Sequence, residues 1–206
     1  MDDIAKGAAL MTGTSYDRVF IDGTAELLPN YTLEKLMHSC FEEVGVPKCT
    51  AEELEYAAAL KATYPPERDV PGIGAKFDAG IAKQVKALSE NMTKPVYDFL
   101  MPQYSGEGFR PGSTDVGDVS WQTPTAQIEV AAWPAGVPGH SWQVVACGKS
   151  SMAHKAMLCA GKVIASAAIE LLEQPALLEK AKSEFKERSA SGYVCPIEPD
   201  AVPIAL

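Results

Sequence analysis

Apolar residues recur at helical spacing along most of this chain. Leu33, Leu36, Met37, Cys40, Phe41 and Val44 fall at i, i+3, i+4, i+7, i+8 and i+11, which predicts an amphipathic helix closed by Gly45. Thr50-Ala51-Glu52-Glu53 has the form of a capping box and starts a second helix, which must stop near Tyr64-Pro65-Pro66. A third helix is expected to carry Phe77, Ile81, Val85 and Leu88. Ser150 or Ser151 can cap a long helix running to about Leu172, and Pro175 opens a last one with Leu177, Leu178, Ala181 and Phe185. At the start, Asp2 to Met11 reads as a helix with acidic residues at its N-terminus, ended by Gly13.

Other stretches carry the two-residue period or β-rich composition of strands. Tyr16 to Asp22 is β-branched and aromatic. Ala126, Ile128, Val130 and Ala132 alternate with Gln127 and Glu129, and Trp142 to Cys147 reads as a further strand after the Pro134 to Pro138 turn. The fold expected from these elements is α/β. The small residues Ala160, Gly161, Ala165, Ala167 and Ala168 would let the long helix pack closely on a sheet. Residues 102–125, rich in Gly, Pro, Ser and Thr, form a long loop, and Gly192 to Leu206 an extended tail.

Composition narrows the function classes. The 206 residues allow one full core and part of a second, at roughly 150 residues per domain. Apolar residues make up 47% and mean hydropathy is −0.04, so the chain is expected to be globular. The longest apolar-leaning stretch, Ala156 to Leu172, is broken by Lys162, Ser166 and Glu170, so no membrane span is expected. Asp2 and Asp3 have the wrong charge for a signal peptide, which predicts a cytoplasmic protein. A formal charge of −9 argues against a nucleic-acid partner. Five cysteines without a CxxC pair exclude a disulfide scaffold and a structural zinc site.

Three segments could carry chemistry. In Ser150-Ser151-Met152-Ala153-His154, a histidine one turn into a helix could bind a metal, or simply bond to a nearby loop. In Gly112 to Asp118, the carboxylates of Asp115 and Asp118 could orient a metal-bound histidine, hold a water or cap a helix; an Asx-turn explains them equally well. In Pro138 to Trp142, the Gly-flanked His140 could bind an oxyanion or a substrate carboxylate, or merely make a turn. His140 and Ser141 are not a nucleophilic pair, because neighbours in an extended chain point to opposite faces and no Gly-x-Ser-x-Gly elbow is present. Gly72-Ile73-Gly74 lacks the third glycine of a dinucleotide site. Glu42-Glu43 and Glu52-Glu53 read as solvated helix faces and a cap.

Taken together, DIAKGAALMTGT (Asp3 to Thr14), Leu28-Pro29-Asn30, GSTDVGDVSW (Gly112 to Trp121) and GHSWQVVACGKSSMAHKAM (Gly139 to Met157) resemble the C-terminal portion of the binuclear zinc aminoacylase and carboxypeptidase family of amidohydrolases. The resemblance implies two domains. Residues 1–28 would be the last helix and strand of a ferredoxin-like lid that mediates dimerisation. Residues 29–206 would be the C-terminal half of a phosphorylase/hydrolase-like zinc-peptidase catalytic domain, a sheet flanked by helices. It also implies His154 as the last metal ligand and Asp115 as an acidic residue behind the ligands. Asp118, His140 and Ser141 would be pocket residues. Thr114 stands where the family usually has Glu.

The family's His-x-Asp pair, its adjacent Glu-Glu pair with the general base, and its other histidine match nothing in this chain. The expectation is therefore a fragment of a zinc- or manganese-dependent hydrolase. The full enzyme would release an amino acid such as glutamate from an acyl or aroyl amide. The fragment itself would be inactive, without a stably held metal. It would act as a homo-oligomer or with a complementing N-terminal half. The alternatives are a non-catalytic interaction module and an independent α/β binding protein with a closed pocket around His140 and His154.

Overall fold

The computed structural model describes residues 1–65, 79–105, 112 and 114–201. Eight helices are found among the described residues: α1 (Asp2–Thr12), α2 (Tyr31–Val44), α3 (Ala51–Lys61), α4 (Ala79–Glu90), α5 (Val116–Ser120), α6 (Trp142–Gly148), α7 (Ser151–Glu173) and α8 (Pro175–Arg188). Each long helix obeys the end chemistry that its sequence announces. Gly13 and Gly45 close α1 and α2 at positive φ, 64° and 74°. Thr50 and Glu53 form a complete capping box on α3, Ser150 caps α7, and Pro175 opens α8. Phe77 and the Gly72-Ile73-Gly74 segment lie outside the described residues.

The α/β expectation is corrected: the described residues contain helices and no strand. A strand exists only where a second extended backbone takes its N–H and C=O groups. Residues 16–22 and 126–132 are irregular and pair with no such neighbour among the described residues. The 126–132 alternation is nevertheless real as burial, since Ile128 and Val130 pack on the core while Gln127 and Glu129 face out. Trp142 to Cys147 is not a strand but helix α6. Its buried residues, Gln143 and Cys147, stand four apart, so the helical period overrode the β-branched Val144-Val145 pair. The sheet flanked by helices that the resemblance implies is accordingly absent among the described residues. The expected long loop at 102–125 contains the short helix α5.

Two apolar clusters organise the helices. In one, Cys40 and Phe41 of α2 meet Cys159, Val163 and Ala167 of α7, and Leu36, Met37, Val44 and Val46 pack around them. In the other, Ala57 and Leu60 of α3 meet Val96, Cys147 of α6 and Met152 of α7. Helix α7 thus belongs to both clusters and joins the molecule's two halves. Burial raises the thiol pKa of Cys147 and Cys159, as expected for cysteines serving as small apolar residues.

Polar clamps set the helix positions. Asn30, 2% exposed, accepts from the Leu33 N–H through Oδ1 and donates through Nδ2 to the Ala181 carbonyl, 2.9 Å away. Glu184 of α8 accepts from the N–H groups of Tyr31 and Thr32 and from the Thr32 hydroxyl, so α8 supplies the carboxylate that α2's N-terminus favours. Burial acts to raise the Glu184 pKa, but these bonds and Arg188 outweigh it and hold the group below the usual range. Neighbouring Glu34 goes the other way, pushed up to about 7 by burial and then by the Glu184 charge.

The segment before α2 is tied to α5. Ala25 N–H donates to Asp118, Leu28 N–H to Ser120 Oγ at 2.8 Å, and Trp121 Nε1 to the Glu26 carbonyl at 2.9 Å. Gly117 makes this approach possible, because a Cβ there would lie 2.0 Å from the Ala25 carbonyl oxygen.

These clamps can be tested one at a time. Gly117→Ala, which must push backbone aside, should destabilise the chain by about 2 kcal/mol or more, read from the urea midpoint; an unchanged midpoint would contradict the docked geometry. Glu34, with its folded pKa above the ordinary value, costs stability as pH rises from about 4.5 through about 7. Glu34→Gln should therefore raise the melting temperature at about pH 8 and leave it nearly unchanged at about pH 4.

Candidate functional site

The head of α7 carries the first candidate, His154, and its local contacts decide where that side chain points. Its N-cap, Ser150, accepts from the Ala153 N–H at 3.2 Å and follows directly on α6, whose Cys147 carbonyl receives the Ser150 N–H. In the first turns, Met152 and Ala156 turn into the core. Ser151 and Lys155, four apart and so on one face, both reach Glu53 of α3. The Ser151 hydroxyl donates to Oε1 at 2.6 Å, Lys155 Nζ to Oε2 at 2.8 Å, and the Thr50 N–H to Oε2 at 2.7 Å. Lys155 also donates to the Lys48 carbonyl.

Glu53 is 7% exposed, so the solvated reading holds for its neighbour Glu52 and not for Glu53. The Lys155 bond above all, then Ser151 and the Thr50 N–H, lower its pKa to about 2 against the opposing effect of burial. The sequence signal is only half visible: the capping box predicts Glu53 at the helix start, but nothing local announces the contact with residues about a hundred positions later.

With Met152 and Ala156 in the core and Ser151 and Lys155 bonded to α3, His154 is left on the outer face of α7, exposed. The other candidates divide differently. Asp115 stands exposed at the N-cap of α5, without a side-chain cap bond. Asp118 is engaged in structure, accepting from Ala25 N–H and from the Tyr193 hydroxyl at 2.9 Å. His140 is exposed in the turn before α6, in the left-handed region at φ 54°. Ser141 is the N-cap of α6, and its Oγ is buried with no hydrogen-bond partner among the described residues.

No hydrogen bond or ion pair among the described residues joins any two of Asp115, Asp118, His140, Ser141 and His154. The remaining histidine, His38, is occupied with the Met101 carbonyl at 2.8 Å.

The donor set does not make a metal centre. Among the described residues no three His, Cys, Asp or Glu side chains gather into a group able to hold an ion. A protein-bound zinc takes about four ligands, of which His154 offers one. The described residues therefore do not fit a complete metal site.

One subunit of the p-aminobenzoyl-glutamate hydrolase of Escherichia coli (strain K12) is 34% identical to this chain over 207 residues, 98% of the chain. The chain is similar to that hydrolase polypeptide along nearly its entire length. It spans 42% of that protein's own length. No protein-family profile and no solved structure matches the chain. The similarity agrees with the resemblance read from the quoted motifs, and the fold explains part of those motifs in structural terms. Asn30, Gly117, Asp118, Ser120 and Trp121 are all used in docking residues 25–31.

The Glu53 clamp carries its own prediction. A carboxylate with a depressed folded pKa contributes stability that is present above about pH 4.5 and lost as pH falls through about 2. Glu53→Gln should lower stability by about 2 kcal/mol at neutral pH and flatten the acid limb of the stability curve between about pH 5 and 2. A variant whose acid limb matches the parent's would show that the clamp does not hold the head of α7.

Proposed function

We propose that this chain forms part of a metal-dependent amidohydrolase that cleaves an acyl- or aroyl-amino acid amide of the p-aminobenzoyl-glutamate kind. The observation that carries the reading is the 34% identity to a polypeptide of p-aminobenzoyl-glutamate hydrolase across 98% of the chain. On this reading residues 1–28 are the end of a lid and residues 29–206 the C-terminal half of the catalytic unit. His154 contributes one imidazole to the zinc or manganese centre. Asp115 stands behind the ligands, and His140 and Ser141 contact substrate. Asp118 supports the site through the 23–28 segment rather than through substrate.

The same reading makes the chain inactive by itself. The family's general base, a Glu beside a second Glu, has no matching segment here, and one imidazole does not hold a metal. The relative is named as a subunit, which supports assembly with another subunit.

A second reading, a non-catalytic interaction module, is favoured by one feature. Helix α1 buries no residue and leaves Ile4, Leu10 and Met11 largely exposed. Among the described residues, no helix is long and apolar enough to cross a membrane.

The experiment is an assay of glutamate release from p-aminobenzoyl-glutamate with zinc or manganese added. The purified chain should give none. The chain mixed with the portion of the Escherichia coli relative outside the match should turn over, and His154→Ala should abolish that turnover. Hydrolysis by the chain alone would overturn the inactive assignment. A complex without hydrolysis would favour the interaction module.

A further inference from the structure

A cavity of about 540 Å³ lies between helix α4 and the segment that follows it, within the size range of small-molecule sites. One wall is a single stripe of α4. Gln84, Ala87, Leu88 and Asn91 stand at i, i+3, i+4 and i+7, and the Asn91 N–H still donates to the Ala87 carbonyl, so the stripe keeps its helical line to the end. The facing wall comes from Met92, Thr93, Lys94, Asp98 and Phe99. That wall is held from behind. Val96, 3% exposed, sits in the second apolar cluster, and the Pro95 carbonyl accepts from the Ala135 N–H at 2.8 Å. The Phe99 ring meets Tyr97 edge-on at 5.7 Å.

The cavity has an apolar body and one charged end. Ala87, Leu88, Met92 and Phe99 line the body. At the end stands Lys94, whose ammonium donates to the Asp98 carboxylate at 2.5 Å. The same two residues also line a second cavity of about 250 Å³, whose other walls include Pro47, Lys48 and Cys49. Lys48 adds a second ammonium there, while burial raises the Cys49 thiol pKa and keeps that group neutral. Two lysines against one aspartate give this end a positive balance. The place beside the Lys94 ammonium already fits a carboxylate, because that of Asp98 occupies it. An ion pair so accessible, with side chains 48% and 33% exposed, is weakly held and exchanges for another.

We propose that this cavity binds a small organic carboxylate with an apolar body the size of an aromatic ring, its head taken by Lys94 in place of Asp98 and its body seated against Leu88, Met92 and Phe99. A neutral or cationic molecule of the same shape gains the body contacts and loses the head. The site is independent of the hydrolase reading, which uses none of its residues.

The test titrates the chain with 3-phenylpropionate and follows the amide signals by NMR, with 3-phenylpropan-1-ol and 3-phenylpropylamine as the neutral and cationic counterparts. The carboxylate should saturate with a Kd of about 1 mM or tighter and shift the amides of Leu88, Asn91, Met92 and Phe99. The alcohol and the amine should bind about 10-fold more weakly or not at all. Lys94→Met, which keeps an apolar stem, should weaken the carboxylate by about 10-fold. Asp98→Asn removes the internal competitor and should tighten it by about 3-fold, a gain that a misfolded variant does not give. Ala87→Trp, at an exposed position on the cavity wall, should fill the body and abolish binding while circular dichroism matches the parent. Lys83→Met, on α4 outside the cavity, should change nothing. The site is disproved by a carboxylate that gives no saturable shift, by three probes that bind alike, by shifts confined to residues outside 84–99, or by binding that survives both Lys94→Met and Ala87→Trp.

Discussion

A single carboxylate fixes the head of the long helix α7 against α3. Glu53 begins as a helix cap on α3 and ends as the anchor for the first turns of α7. A carboxylate that is 7% exposed survives as an anion only with strong donors, and here it has a backbone N–H, a serine hydroxyl and a lysine ammonium. Because Ser151 and Lys155 turn toward α3 to meet it, the rotation of α7 about its own axis is determined. Met152 and Ala156 then face the core, and His154 must face out. The placement of the candidate ligand is a consequence of this clamp.

That rotation also explains why α7 has an apolar outer stripe aligned with His154. A 23-residue helix with small and aliphatic residues on both faces suits an element enclosed between two layers. The described residues supply one layer, α2 with α8 on one side of the helix's length and α3 with α6 toward its head.

Local chemistry made the helices legible. The capping box at Thr50, the terminating glycines at 13 and 45, the cap at Ser150 and the proline at 175 each mark an end, and end signals act within a few residues. The strands were misjudged because alternation reports which side chains are buried and says nothing of whether a second backbone is there to pair with. Residues 126–132 show that gap: their alternation is satisfied by packing, without a ladder. Trp142 to Cys147 is too short to show its period: the buried pair that makes it a helix, Gln143 and Cys147, is a single repeat of four. Of the candidate residues, His154 was placed correctly on the first turns of a long helix. The structural duties of Asp118 and Glu53 rest on partners about a hundred residues away, and sequence spacing does not reveal such contacts.

The two faces of α7 can be compared most directly by methionine oxidation. Met152, 3% exposed, lies on the inner face, and Met157, 64% exposed, flanks the outer stripe. In the chain alone, peroxide should oxidise Met157 readily and Met152 slowly. Glu53→Gln, which releases the head of α7, should speed the oxidation of Met152 and leave that of Met157 unchanged. Equal oxidation rates for the two methionines in the parent chain would contradict the rotation that the Glu53 clamp gives α7.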